Sequence, residues 1–268
     1  MIRFFFFFLI FFILNIKTLF PKDFPEIFGC FCEGGMILGK ANKNDILMVD
    51  NKKVEIFDTG EFVFAFGRKF KDTVTISINV NKKSFSVKNK EYLIERIDGL
   101  RKNKVVPGKN EIQKIKDDQK KIRESKKIGS KKKFFGKEFS LPVEGRISGF
   151  FGSQRILNKK PRSPHNGIDI AASKGTPIVS PSSGIVKLIE HDMFFTGKTL
   201  IIDHGLGLIS IFAHLNDIMV SQNQEIKKGE TIGTIGMTGR ATGPHLHWGV
   251  YLQNIPVDPM SLINSTFF

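Results

Sequence analysis

Residues 197–215 read GKTLIIDHGLGLISIFAHL, a sequence typical of two β-strands joined by a tight turn. Each half is an apolar run, and the glycines of Gly-Leu-Gly separate the two runs. Short segments of the same kind, bounded by glycine-rich turns, recur from residue 139 to residue 262, and no long helical pattern interrupts them. We therefore predict an all-β fold in this region, a C-terminal antiparallel β-sheet domain of about 120 residues.

Residues 33–97 form a second region of short strand patterns with Gly, Asn and Asp between them. Thr73, Thr75 and Ser77 alternate there with Val74, Ile76 and Ile78, as expected of a strand with one buried face. The pattern predicts a small N-terminal antiparallel β-sandwich. This region has no histidine and no acidic cluster with ligand spacing, so we assign it no chemistry.

The segment between these regions, residues 98–138, is strongly basic. Residues 82–137 contain 20 Lys and Arg against 7 Asp and Glu, out of a net charge of +15 for the chain. Ile112, Ile115 and Ile122 place a thin apolar stripe on a charged helix. We predict a partly helical, solvated linker, whose helix ends near Gly129, close to an anionic membrane surface of the envelope. Nucleic acid is not the expected partner, because no aromatic residues are interleaved with the charges.

The N-terminus has the pattern of an export signal. Arg3 precedes an unbroken apolar run over residues 4–14, which is short for a membrane span and typical of a signal peptide. Residues 1–20 are therefore a signal peptide or a membrane anchor. We expect a periplasmic or cell-envelope protein, with inner-membrane anchoring as the alternative. Cys30 and Cys32 follow, and a bond between them on an extended strand would be strained, so we expect unpaired or loosely paired thiols.

Five side chains of the C-terminal region are candidates for one site. His165 lies four residues before Asp169, and His245 and His247 lie two apart in TGPHLHWGV, residues 242–250. On a strand both pairs would share a face. His214 ends an apolar strand of its own. A β-sheet can therefore bring four histidines and one carboxylate to one patch.

This set of side chains suits a catalytic metal. Catalytic zinc takes three protein ligands and leaves one position for water, and two histidines with one carboxylate are enough. The remaining two histidines could then move a proton, since imidazole titrates near neutral pH. From spacing alone, the choice of the three ligands stays open, and so does an ordinary strand with polar histidines.

The motifs HNGIDIAASKGTPIVSPSSGIV, GKTLIIDHGLGLISIFAHL and TGPHLHWGV closely resemble the zinc metallopeptidases of the LytM and lysostaphin type, peptidase family M23. The similarity extends over roughly residues 140–260. It implies one Zn²⁺ per chain, held by His165, Asp169 and His247. It makes His245 and His214 the catalytic residues. His204 and His191 match no ligand position, and we interpret His204 as a turn residue and His191 as incidental.

The resemblance also implies the substrate. Family members cleave peptide bonds of peptidoglycan, and many act as D,D-endopeptidases on cross-links during remodelling of the cell wall. The alternative is a non-catalytic wall-binding regulator or activator of amidases, as found among relatives that have lost ligands. All five positions are occupied here, which favours the enzyme. A regulatory protein partner is left open.

Overall fold

A computed structural model describes residues 24–127 and 129–267. Within these ranges no helix is both long enough and apolar enough to cross a membrane. The predicted export signal at residues 1–20 lies outside the described residues.

The N-terminal region forms two small antiparallel sheets. Strands β1, β2 and β5 form one, and β4, β3, β6 and β7 form the other. Val74, Ile76 and Ile78 are buried, as the alternation predicts, and pack with Ile37 and Phe62 in a cluster to which both sheets contribute. The strands are β1 (Ile27–Gly29), β2 (Met36–Lys40), β3 (Leu47–Val49), β4 (Lys52–Lys53), β5 (Glu61–Ala65), β6 (Thr73–Ile78), β7 (Asn81–Ser86) and, beyond these sheets, β8 (Ile94–Ile97).

Cys30 and Cys32 are joined by a disulfide, with 5.2 Å between their Cα atoms. The expectation of unpaired or loosely paired thiols is therefore wrong. It assumed an extended strand, on which Cα atoms two residues apart lie roughly 6.6 Å from each other. Strand β1 ends at Gly29, so the two cysteines lie beyond it, and their Cα atoms come closer together than on an extended strand.

The basic linker contains two helices, α1 (Lys102–Val105) and α2 (Lys109–Ser125). The expected helix is present, but it is not a solvated spacer. Asp118 is buried on α2, and its Oδ2 accepts a hydrogen bond from the Phe194 backbone N at 2.7 Å. Lys126, which follows the helix, lies over the Tyr251 ring. Helix α2 is therefore docked on the C-terminal sheet through this polar contact and through Ile122 of the isoleucine stripe, which packs against the cluster that contains Ile201.

The C-terminal region is the mainly β-sheet fold predicted from the sequence. Its large sheet has the strand order β18-β14-β15-β16-β20-β12-β9, with β21 paired to β20, and β13, β19 and β17 form a smaller sheet. The elements are β9 (Arg146–Gly149), β10 (Gln154–Leu157), β11 (Lys160–Pro161), β12 (Ile168–Ala171), β13 (Pro177–Val179), β14 (Gly184–Met193), β15 (Gly197–Gly205), β16 (Leu208–Leu215), β17 (Asp217–Ile218), β18 (Glu225–Ile226), β19 (Thr231–Thr234), β20 (His245–Leu252), β21 (Ile255–Val257) and α3 (Pro259–Ile263).

Strand β8 connects the two regions. The sequence groups it with the N-terminal strands, but it pairs in parallel with β10, with Glu95 opposite Arg155. Strand β10 also pairs with β11, so β8, β10 and β11 form a separate three-stranded sheet beside the large one. The N-terminal chain thus contributes a strand next to the candidate site.

Candidate metal centre

Strand register brings the candidate side chains together at one end of the large sheet. Asp169 on β12 lies opposite His247 on β20, and Ala213 on β16 lies opposite the same His247 from the other side. His245 and His247 share a face because they are two residues apart on one strand. His165 precedes β12 in an irregular segment, so it is not on the strand itself.

Three side-chain atoms meet closely within this group. His165 Nε2 lies 2.9 Å from His247 Nδ1 and 3.2 Å from Asp169 Oδ1. His247 Nδ1 lies 2.9 Å from the same Oδ1. His165 and Asp169 are buried, and His247 is nearly so. The structure therefore brings together the three residues predicted as metal ligands.

The contacts around His165 indicate which ring nitrogen faces the site. His165 Nδ1 lies 3.1 Å from the Phe150 carbonyl oxygen, which can only accept, so Nδ1 carries the proton. Nε2 is then a lone-pair acceptor, and it faces a carboxylate oxygen that is also an acceptor. Two acceptors at this distance are stabilised by a cation between them.

The donor spacing fits a small metal ion. Tetrahedral N and O ligands at about 2.0–2.1 Å from zinc lie about 3.3 Å from one another. The three separations here, 2.9, 3.2 and 2.9 Å, are close to that value. Two imidazoles and one carboxylate also match the donor preference of catalytic zinc and leave a coordination position for water. The residues present therefore fit the metal.

Burial and charge set the protonation of these ligands. Burial raises the pKa of Asp169, but the adjacent His165 and His247 side chains outweigh it and hold that pKa well below its usual value. Burial lowers the pKa of His247 to about 4, although the neighbouring Asp169 carboxylate opposes this. The carboxylate is thus ionised and His247 is neutral near pH 7, which is the state that binds a metal.

His214 and His245 form a second pair beside this cluster, with ring centroids 4.7 Å apart. His214 Nδ1 donates to the Thr238 carbonyl oxygen at 2.8 Å, and His245 Nδ1 donates to that of Gly243 at 2.9 Å. Each Nε2 is therefore an acceptor. His245 Nε2 lies 4.0 Å from Asp169 Oδ1, just beyond the ligand cluster.

His214 has an unusual backbone and environment. Its φ is +64°, in the left-handed region that costs a non-glycine residue about 1–3 kcal/mol, and strained residues of this kind cluster at active sites. Burial first, and then the neighbouring His245 and His247, lower its pKa to about 3. His214 is therefore a neutral hydrogen-bonding group near pH 7.

Residues 163–259, which include all five candidates, match the profile of Peptidase family M23. These residues form an M23 peptidase domain. The chain is 36% identical over 122 residues to "Peptidoglycan DD-endopeptidase ShyA" of Vibrio cholerae, an alignment covering 44% of this chain and 28% of that protein. It is 37% identical over 120 residues to "DD-carboxypeptidase/endopeptidase Mpg" of Neisseria meningitidis, covering 45% and 27%.

The similarity to a solved structure extends further along the chain. A putative peptidase M23 from Pseudomonas aeruginosa superimposes with a TM-score of 0.64 at 28% identity and covers 87% of this chain and 94% of that one. By contrast, the chain spans little more than a quarter of the length of the curated relatives named above. The overall fold, including the part before the M23 domain, therefore has a structural counterpart.

A groove of about 300 Å³ passes the site of the M23 domain. His214, His245 and Asp169 line it together with Arg240, whose guanidinium lies over the Phe195 ring at 4.4 Å. Burial first, then repulsion by Arg155 and Arg162, lowers the pKa of Arg240 to about 10. In residues 24–127 and 129–267 no carboxylate forms an ion pair with Arg240. The other lining residues are Ile97, Leu100, Arg146, Ser148, Arg155, Leu157, Ala171, Ala241, Thr242, Gly243 and Pro244.

Sequence reasoning missed the polar residues behind the ligands. Arg155 Nη2 forms an ion pair with Asp169 Oδ2, and its Nε lies 3.2 Å from Glu95 Oε2. No local signal distinguishes Arg155 or Glu95 from the many other charged residues of a basic chain. Only the pairing of β8 with β10 places them together.

His204 is not a turn residue, so that prediction is wrong. It lies on β15 and is fully buried, with Nδ1 donating to the Ser183 carbonyl oxygen and Nε2 bonded to Ser210 Oγ, both at 2.8 Å. The strand continues through Gly205, and the turn consists of Leu206 and Gly207, both with positive φ. His191 is exposed on β14, away from the ligand cluster.

Proposed function

We propose that this protein is a zinc-dependent peptidoglycan endopeptidase that hydrolyses D-alanyl cross-links as a D,D-endopeptidase. One observation carries the proposal: a complete set of three metal ligands and two further histidines converges in a groove of an M23 domain. The name of the Vibrio cholerae relative supports the choice of substrate bond.

His165 Nε2, His247 Nδ1 and Asp169 Oδ1 hold the zinc ion in this proposal. When bound, zinc acts as a Lewis acid that polarises a peptide carbonyl and makes a bound water more acidic. Asp169 contributes the single negative charge of the ligand set. The Phe150 carbonyl keeps the proton of His165 on Nδ1, which leaves Nε2 free to bind.

His245 is the proton acceptor in the proposed reaction. Its Nδ1–H is hydrogen-bonded to the Gly243 carbonyl oxygen, so Nε2 is free to take a proton from the attacking water and to pass one to the departing amine. Asp169 Oδ1, 4.0 Å away, stabilises the imidazolium that forms in between. His214 is held neutral and hydrogen-bonds groups that become charged in the transition state.

A wall-binding regulator without catalytic activity is the competing function. Such a protein needs the groove but has no need for a complete ligand set or for paired histidines whose Nε2 atoms are both acceptors. All five positions are occupied in this chain, and Oδ1 of Asp169 lies at ligand spacing from nitrogens of His165 and His247. These observations favour the enzyme.

The proposed location follows from the substrate. Peptidoglycan lies outside the cytoplasmic membrane, and the signal-like residues 1–20 agree with export to the periplasm or cell envelope. Exposed lysines of the linker support attraction to an anionic membrane surface, although helix α2 itself is docked on the M23 domain.

Digestion of purified sacculi tests the proposed function. We expect the zinc-loaded protein to release cross-link products that mass spectrometry identifies as hydrolysed at the D-alanyl bond. Chelation should stop the release, and added zinc should restore it. Binding to sacculi without any hydrolysed bond, with zinc present, would instead support the regulator.

A further inference from the structure

Glu95 lies 68 residues before the M23 segment begins at residue 163. Its carboxylate nevertheless contacts Arg155 and Phe150, and each of these residues contacts a proposed metal ligand. Glu95 Oε2 lies 3.2 Å from Arg155 Nε, and Glu95 Oε1 accepts a hydrogen bond from the Phe150 backbone N at 2.8 Å. The Glu95 side chain is only 15% exposed. One half-buried carboxylate therefore joins two separate groups behind the site.

The first of these contacts leads to Asp169. Arg155 pairs through Nη2 with Oδ2 of Asp169, while Oδ1 of the same carboxylate faces His165 and His247. Arg155 is thus paired with the Asp169 oxygen that is not in contact with the other ligands. A guanidinium is a planar, rigid donor, so the orientation of Arg155 sets the orientation of the carboxylate.

The second contact leads to His165. The backbone carbonyl oxygen of Phe150 accepts a hydrogen bond from His165 Nδ1, while the backbone N–H of the same residue donates to Glu95. The Phe150 carbonyl orients the imidazole ring and keeps its proton on Nδ1. Partners of this kind, one shell away from a metal, commonly change metal affinity by about 10–100-fold when removed.

Backbone pairing places Glu95 at this point independently of its side chain. Strand β8 pairs with β10 over Ile94–Ile97, and the pairing continues through Gln154 N to Leu93 O at 2.8 Å and Asn158 N to Ile97 O at 2.9 Å. Replacing the side chain should therefore leave the strand in place. Its effect on the ligands can be measured separately from folding.

We propose that Glu95 is a positioning residue for the metal site, which orients Asp169 through Arg155 and His165 through Phe150. Metal binding by the M23 domain then depends on a strand that comes from outside that domain. This inference rests on the proposed metal site.

Zinc affinity of the full chain tests the inference, measured by competition with a chromophoric chelator. We compare the wild type with Glu95→Gln, which preserves size, and with Glu95→Ala. The matched control is Glu91→Gln, since Glu91 is an exposed carboxylate four residues earlier. We expect both Glu95 variants to bind zinc at least about ten-fold more weakly than the wild type. Without zinc, their melting temperatures should be close to that of the control variant.

A double variant adds a second readout. Glu95→Gln combined with Arg155→Lys should weaken zinc binding by less than the product of the two single effects, because both act through Asp169. Zinc binding by Glu95→Ala and Glu95→Gln as tight as that of the wild type would overturn the inference and leave the metal site intact. Failure of the wild type to bind zinc would overturn the proposed metal site, and this inference with it.

Discussion

Acid should destabilise this protein through His204, a buried histidine away from the proposed catalytic groups. Burial lowers its pKa in the folded state from 6.5 to about 4, and its two hydrogen bonds match the neutral ring. Between these pH values the unfolded chain binds more protons than the folded one. The free energy of unfolding therefore falls as the pH drops through this window.

The size of the effect follows from the pKa difference. Each unit of pKa difference corresponds to about 1.4 kcal/mol of unfolding free energy. Titration of His204 therefore lowers that free energy by about 3 kcal/mol between pH 6.5 and pH 4, and by about 2 kcal/mol on reaching pH 5. Urea denaturation at pH 7.5 and pH 5.0, in the presence of chelator, measures the loss. His204→Gln cannot titrate, so its loss should be smaller than that of the wild type by about 2 kcal/mol.

His191 supplies the matched control, because it is exposed on the neighbouring strand. His191→Gln should lose stability on acidification as the wild type does. An equal acid-induced loss in His204→Gln and the wild type would refute the reasoning, since burial of this ring would then not be the source of the pH dependence.

Two further predictions concern the groove and the linker helix. Arg240→Ala should raise KM several-fold for a stem peptide with free carboxylates and change kcat less. The reason is that the Arg240 guanidinium lines the groove and no carboxylate in the described ranges is paired with it. An unchanged KM would contradict this prediction. Asp118→Ala should lower the free energy of unfolding by about 1–3 kcal/mol, because the buried Phe194 N–H loses its acceptor. Asp117→Ala, at an exposed neighbour, is the control for urea denaturation, and equal losses would show that α2 is not held by this contact.

The strands were predictable because their signals are local. Apolar runs between glycines mark β15 and β16, and alternation marks β6. The meeting of His245 with His247 also follows from strand geometry alone. Which strands bring Asp169 and His214 beside them depends on sheet order, which was not predicted; only the resemblance to a family implied that these residues share a site.

What the sequence did not predict depends on contacts between distant residues. Glu95 and Arg155 become a pair only through the register of β8 with β10, 60 residues apart. Asp118 is buried because it accepts from a backbone N–H 76 residues away. The prediction for His204 was wrong because β15 continues through Gly205, so the turn begins later than the Asp-His-Gly sequence suggests. In each case the partner is a group that no local pattern identifies.

The central claim is that His165 binds the metal whereas His245 transfers the proton, and one paired measurement tests it most directly. Zinc content and the rate of cross-link hydrolysis in sacculi should be measured together for the wild type, His165→Ala and His245→Ala. We predict that His245→Ala keeps one zinc ion per chain and loses about 10²–10⁴-fold in rate, whereas His165→Ala loses zinc itself. Wild-type hydrolysis by His245→Ala, or wild-type zinc affinity in His165→Ala, would contradict the account.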